Sequence, residues 1–231
     1  MKSPPAGDPA AFIRDNLQIG ETAGLPGLRL YTAHPGSGLS RIAEAGGPPP
    51  YWAYCWAGGM ALAHFIAERP ETVRGLRVLD FGAGSGLVAI AAAKAGAKAV
   101  CAAETDPFGV AAIALNAALN GVAVEVSAGG AADAPPPAVD VVLAGDVFYD
   151  AAVAARSLQF LERSVAAGIE VLVGDPGRKD LPRARLRQLA SYRVADAGGT
   201  AAEGLVLALE SGVQAGVVRP SRRARAAPSS G

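Results

Sequence analysis

The stretch Val78-Leu79-Asp80-Phe81-Gly82-Ala83-Gly84-Ser85-Gly86 reads as a short apolar strand running into a glycine-rich turn that opens a helix. Glycine is needed there because only the absence of a Cβ lets a backbone turn so sharply and approach a ligand so closely. The spacing is G-x-G-x-G behind an acid, Asp80, whereas the dinucleotide fingerprint G-x-G-x-x-G places its last glycine one position later. A pyrophosphate site presents a bare helix N-terminus to an anion, so a carboxylate beside the loop suits a cationic ligand instead.

S-adenosylmethionine, with its ammonium and sulfonium, has that character, and Asp80 is expected where its methionine moiety lies; a nucleotide and a purely structural glycine turn are the alternatives. A second acid follows in Cys101-Ala102-Ala103-Glu104-Thr105-Asp106-Pro107, where Glu104 stands 18 residues past Gly86. A carboxylate at that distance, at the end of the next strand, accepts hydrogen bonds from both ribose hydroxyls in dinucleotide folds. Asp106, just before Pro107, reads as a helix cap.

Outward from this core, strand and helix signals alternate as in a parallel sheet covered on both faces. Strands are expected near 76–80, 98–103, 122–126, 139–144, 169–173, 191–196 and 204–209, with helices at about 85–95, 107–120, 150–166 and 181–190. Upstream, Pro9 to Leu17 fits a short helix, Leu28 to Tyr31 an extended piece, and Met60 to Glu68 a buried helix stopped before Pro70. Residues 1–50 thus form a partly ordered N-terminal extension whose first eight residues fray, 51–210 the main domain, and 211–231 a basic, disordered tail. The predicted class is α/β: a Rossmann-like, seven-stranded, mostly parallel sheet with helices on both faces.

The run after the fourth strand is Val139-Asp140-Val141-Val142-Leu143-Ala144-Gly145-Asp146-Val147-Phe148-Tyr149-Asp150, without the prolines of the N-P-P-Y or D-P-P-Y motif of base-amine methyltransferases. D-F-G-A-G-S-G and A-E-T-D-P on consecutive strands resemble motifs I and post-I of the seven-β-strand, S-adenosylmethionine-dependent methyltransferases, whose last strand is antiparallel. D-V-F-Y matches the D-x-x-Y signature of the family 16 protein methyltransferases, most of which act on lysine. Pro50-Tyr51-Trp52 with Trp56-Ala57-Gly58-Gly59, and Gly174-Asp175-Pro176-Gly177-Arg178, narrow the likeness to the lysine methyltransferases of the electron transfer flavoprotein β subunit, over roughly residues 10–210.

The resemblance implies a protein substrate, with that β subunit leading and another protein amine or a small molecule as alternatives. It puts Trp56 and Gly145 against the cofactor together with Asp80, Gly82, Gly84, Gly86 and Glu104. Asp146 and Tyr149 become the catalytic pair, Asp146 orienting an amine whose reference pKa of about 10.4 requires it to lose a proton before attack. Trp52, Phe148 and Asp175 become substrate contacts, with Tyr51 beside Trp52 at the entrance. The plainer alternatives are that Asp146 caps the next helix and that D-P-G is an ordinary turn. A dinucleotide-dependent oxidoreductase and a noncatalytic methyltransferase-like scaffold stand as more distant readings.

Composition bounds the partners. With 51% hydrophobic and 18% charged residues the chain is too apolar to be disordered throughout. Equal numbers of basic and acidic residues, 21 of each, argue against nucleic acid, although four of the arginines (Arg219, Arg222, Arg223, Arg225) lie beyond Ser211. Residues 1–210 therefore hold 17 basic and 21 acidic residues, a net charge of −4, which suits lysine better than phosphate. Cys55 and Cys101 form neither a C-x-x-C pair nor a metal spacing with His34 and His64, so no metal is expected. A monomer of the bacterial cytoplasm, without membrane contact, is the resulting expectation.

Overall fold

In the computed structural model, which describes residues 8–40, 42, 46, 48–197 and 199–211, the strand before the glycine loop occupies the middle of a seven-stranded sheet. In chain order the elements are α1 (Pro9–Asn16), β1 (Gln18–Glu21), β2 (Arg29–Thr32), α2 (Ala57–Glu68), β3 (Arg77–Phe81), α3 (Leu87–Lys94) and β4 (Ala99–Glu104). They continue with α4 (Pro107–Leu119), β5 (Glu125–Ala128), β6 (Val141–Gly145), α5 (Ala151–Ala166), β7 (Glu170–Asp175), β8 (Leu186–Ala195) and β9 (Ala201–Leu209).

The strand order is β5-β4-β3-β6-β7-β9-β8, with β3 to β7 parallel and β9 antiparallel to both of its neighbours. The chain winds outward from β3 in one direction and from β6 in the other. Their carboxyl ends are therefore the switch point where an open α/β sheet leaves a crevice.

Period-2 alternation sends neighbouring residues of each central strand to opposite layers. Val78, Val141 and Leu143 join Leu62, Ile66, Val88 and Ile113 under α2, α3 and α4, whereas Leu79, Phe81 and Val142 meet Phe160 and Leu161 of α5. Both faces are covered, which is why the central strands read as continuous apolar runs. Helix α2 lies unusually close to the sheet. A Cβ on Gly58 would fall onto the Gly174 carbonyl of β7, and one on Gly204 of β9 would come within 2.5 Å of the Ala57 carbonyl.

The N-terminal hairpin β1–β2 docks on α4 through two asparagines four residues apart on one helical face. Asn116 Oδ1 accepts from the Tyr31 N–H at 2.8 Å; Asn120 Oδ1 accepts from the Arg29 N–H at 3.0 Å, and its Nδ2 donates to the Arg29 carbonyl at 2.6 Å. Side-chain amides thus complete the free edge of β2. Asn116 Nδ2 also donates to the Ser85 carbonyl at 2.8 Å, tying the hairpin to the glycine loop.

The helix expected at 181–190 is absent. Past Pro182 a single 3₁₀ turn, Arg183–Arg185, leads directly into β8, which begins at Leu186 rather than 191. The amphipathic run from Leu186 satisfies either period. Its ladder to β9, from Leu186↔Leu209 to Ala195↔Ala201 with one irregularity between Gln188 and Ala190, pairs backbone groups along the whole of β9 and decides for strand. Strand β1 was not expected, and the strand expected at 122–126 forms instead at Glu125–Ala128. Expectations for the first seven residues and for the tail from residue 212 fall outside the described residues.

Candidate active site

The glycine loop enters left-handed backbone three times, with φ of 71° at Gly82, 52° at Gly84 and 81° at Gly86. Gly82 and Ala83 donate their N–H groups to the Ala103 carbonyl at 3.1 Å each, which fixes the loop to the end of β4. Asp80 is 1% exposed, and its carboxylate reaches past the loop to accept from the Ala89 N–H of α3 at 2.9 Å. Burial pushes this carboxyl up to about 7; the Ala89 N–H opposes the shift and the nearby Glu104 charge adds to it.

Glu104 Oε2 accepts from the Gly84 N–H at 2.8 Å, while Oε1 accepts from the N–H groups of Thr105 at 2.6 Å and Asp106 at 3.0 Å. A pyrophosphate at this loop would need the N–H that Glu104 already holds, and it would face two carboxylates. The arrangement therefore favours a cationic ligand over a dinucleotide.

At the end of β6, Asp146 is the sole non-glycine residue among the described residues with positive φ, at 60°. Aspartate tolerates this conformation better than most side chains. The twist carries its backbone N–H to the Gly174 carbonyl at 2.8 Å and its carboxylate into the space between α2 and the loop after β7. There Oδ2 accepts from the Gly59 N–H at 2.7 Å and Oδ1 from Arg178 Nη1 at 2.6 Å. Burial pushes the Asp146 carboxyl up, against the pull of the Arg178 guanidinium and of the Gly58 and Gly59 N–H groups.

These parts meet around one cavity of about 480 Å³. Of the residues expected at the site, Trp52, Trp56, Asp80, Gly82, Gly84, Glu104, Gly145, Asp146 and Tyr149 line it. Gly145 has to be small, since its Cβ would lie 3.0 Å from Gly59 Cα. Trp56 donates its indole N–H to the Tyr51 carbonyl at 2.8 Å and lies edge-on to the Tyr51 ring, 5.7 Å away. Tyr51 and Tyr149, both more than two-fifths exposed, form the mouth with ring centroids 5.0 Å apart.

Three of the expected residues do not line the cavity. Phe148 does not wall the cavity: it is 1% exposed and packed in the core against α5, while its neighbours Val147 and Tyr149 point to the cavity. Asp175 is wholly buried and holds its own turn, Oδ1 accepting from the N–H groups of Gly177 and Arg178 at 2.7 Å each; Arg178 is the residue that lines the cavity. Gly86 sits behind the cavity as the first residue of α3's cap, where a Cβ would come within 3.3 Å of Ile113. Trp52, although it lines the cavity, is 2% exposed and stacks on Phe108 at 5.5 Å, so it braces the site from beneath while Tyr51 takes the mouth.

Sequence reasoning gave no role to Arg156 and Ser157 of α5, which also line the cavity. Arg156 pairs with Asp133 at 2.5 Å, and Arg163 donates to the Ala132 carbonyl at 2.6 Å, so α5 holds the loop after β5 along one wall. The signal available for these arginines was their spacing of seven residues, about two turns, on a strongly amphipathic helix. Among the described residues no group of three His, Cys, Asp or Glu side chains could hold a metal ion, and no helix is long and apolar enough to cross a membrane.

The family model described as ribosomal protein L11 methyltransferase (PrmA) matches residues 64–147. A structural neighbour, the tRNA (uracil-54, C5)-methyltransferase of Pyrococcus abyssi in complex with S-adenosyl-L-homocysteine, has a TM-score of 0.50 at 19% identity, covers 64% of this chain and 38% of that one, and shares the fold. The electron transfer flavoprotein beta subunit lysine methyltransferase of Xenopus laevis is 36% identical over 81% of this chain and 80% of its own length. That of Danio rerio is 35% identical over 80% of this chain and 75% of its own. With likeness of that degree over four-fifths of its length, the chain belongs to the family of electron transfer flavoprotein β-subunit lysine methyltransferases.

Proposed function

We propose that this protein transfers methyl groups from S-adenosylmethionine to lysine side chains of the electron transfer flavoprotein β subunit. The observation that carries the reading is the single cavity joining a carboxylate-flanked glycine loop to Asp146 and Tyr149, in a chain 36% identical to a methyltransferase named for that substrate.

S-adenosylmethionine supplies an electrophilic methyl group on a sulfonium. The loop glycines 82 and 84, with Asp80 and Glu104, are placed to hold it, the two carboxylates answering its cationic groups and the ribose hydroxyls. Trp56 forms the apolar wall. In-line displacement needs little covalent assistance, so the remaining task is to hold a neutral amine in line with the methyl group. Asp146 accepts a hydrogen bond from that amine, and the exposed rings of Tyr51 and Tyr149 flank the aliphatic stem and the cation as lysine enters.

A monomer acting in a reducing compartment such as the cytoplasm, without nucleic-acid or membrane partners, belongs to the same proposal. Its support is the two unpaired thiols, the balanced charge and the acidic main domain. Incubation of the purified β subunit with labelled S-adenosylmethionine and this enzyme, followed by intact mass, tests the reading directly. Mass increments of one or more methyl groups on lysine are expected; their absence would refute the substrate.

A further inference from the structure

Arg178 stands where a lysine-binding site has no evident need of a cation. Its side chain is 22% exposed and lines the cavity, so an incoming ammonium would meet a positive charge. Yet the fold goes to some length to put it there. Asp175, at the end of β7 and wholly buried, turns the chain with Oδ1 and receives Arg178 Nη1 on Oδ2 at 3.2 Å. The same Nη1 donates to Asp146 Oδ1 at 2.6 Å. One nitrogen carries two N–H groups, and each is matched to a carboxylate on one of two adjacent strands.

Asp146 is in consequence held at three points: by its left-handed backbone, by the Gly59 N–H on one oxygen and by Arg178 on the other. Building on the methyltransferase reading, we infer that Arg178 is a positioning residue that holds Asp146 as an oriented, ionised acceptor for the target amine, and that Asp175 aims Arg178.

The charges fit the reaction. Asp146, Arg178 and Asp175 sum to one negative charge, so a protonated lysine completes a neutral set. Once the amine has released its proton to solvent, the guanidinium remains beside it and disfavours reprotonation, as a neighbouring cation does for activated lysines elsewhere. Helix α2 contributes to Asp146 the N–H groups of Gly58 and Gly59. The other ionisable groups around the cavity are Asp80, Glu104 and Asp106 toward the glycine loop, Arg156 on α5 paired with Asp133, Tyr54 beside Trp56, and Tyr51 and Tyr149 at the mouth.

The test compares the wild type with Arg178→Met, Arg178→Lys and Asp175→Asn. If transfer requires both a neutral amine and an ionised Asp146, log(kcat/KM) for the β subunit rises with pH with slope 2 below the Asp146 midpoint and slope 1 above it. In Arg178→Met this break moves to higher pH, kcat falls about 10²-fold near neutrality with a smaller change in KM, and S-adenosylhomocysteine affinity is retained. Arg178→Lys restores part of the loss, and Asp175→Asn shows a smaller displacement of the break. In parallel, ¹³C NMR titration of the Asp146 carboxyl, which needs no substrate, shows the same upward displacement. Loss of activity with an unmoved break and an unmoved NMR midpoint overturns the inference and leaves Arg178 a structural residue. If the wild type methylates no lysine, the functional reading fails on its own, and the NMR midpoint still decides the role of Arg178.

Discussion

Helices α4 and α5 are capped by the residues that precede them, whereas α2 and α3 are capped by carboxylates from elsewhere in the fold. Asp106 accepts from the Phe108 N–H at 2.8 Å, and Asp150 from the N–H groups of Ala152 at 2.9 Å and Val153 at 3.2 Å. By contrast α2 starts behind Trp56 and α3 behind Gly86, neither of which supplies a side-chain cap. The Ala57 N–H is met by Asp196 at 3.0 Å, Gly59 by Asp146 and Ala89 by Asp80. All four helices begin at the cavity, but only α2 and α3 take their caps from carboxylates outside the residues that directly precede them. Two of their N–H groups, those of Gly59 and Ala89, are satisfied by acids of the site, Asp146 and Asp80, so the charge of the site and the attachment of those helices are coupled.

This contrast can be broken at several points. Asp146→Ala removes the amine acceptor, the partner of Arg178 and the cap of α2 together. A fall in kcat of about 10²–10⁴-fold is expected, with a loss of thermal stability measured in the same preparation.

Asp80→Asn separates charge from cap, because the amide oxygen still accepts from Ala89. Burial raises the folded-state pKa of Asp80 to about 7, well above the ordinary carboxylate range, so the folded form binds the extra proton. Its contribution to stability is full below the unfolded pKa, declines as pH rises from about 4 to 7, and is flat above. Urea unfolding at pH 8 should find Asp80→Asn more stable than wild type, by an amount on the order of a few kcal/mol, and less sensitive to pH across that window. Calorimetry should find it weaker in binding S-adenosylmethionine.

Gly58→Ala probes the close seat of α2. Its Cβ would fall on the Gly174 carbonyl and within 2.8 Å of Asp146 Oδ2, so about 1–3 kcal/mol of stability and much of the activity should be lost together. The smallest effect belongs to a local cap. Asp150→Ala should cost about 1 kcal/mol in denaturant unfolding and leave the affinity for S-adenosylhomocysteine unchanged. If Asp150→Ala matched Asp146→Ala in its loss of activity, the distinction between local and remote caps would collapse.

The same distinction explains what could be read without coordinates. Asp106 before Pro107 is a cap by local rules, and the structure uses it so. The glycine loop announces itself because three positive φ angles within five residues leave few alternatives to glycine. Glu104 is legible because strand length fixes where the second strand ends. The resemblance carried no information on where the Phe148 ring points: the chain leaves β6 through the left-handed turn at Asp146, and the ring lies in the core. Asp175 and Arg178 were legible as a turn and, through the resemblance, Asp175 as a substrate contact, but not as a pair directed at Asp146. That the turn's arginine reaches Asp146, 32 positions earlier, follows from the parallel pairing of β6 with β7 at Gly145↔Gly174.

The amino-acid sequence by itself determined the class of sheet, the family and the carboxylates beside the glycine loop, because these rest on period, local turn chemistry and short spacings along one chain. The tertiary structure alone decided β8, where a nine-residue partner strand overrode an amphipathic run equally fit for a helix. It also decided the Asp146–Arg178–Asp175 cluster and the caps of α2 and α3. The contacts of Asp146 with Gly59 and Arg178, and of Asp196 with Ala57, join residues separated in sequence by a crossover or more, and such partners are chosen by strand order and register, which no local pattern encodes.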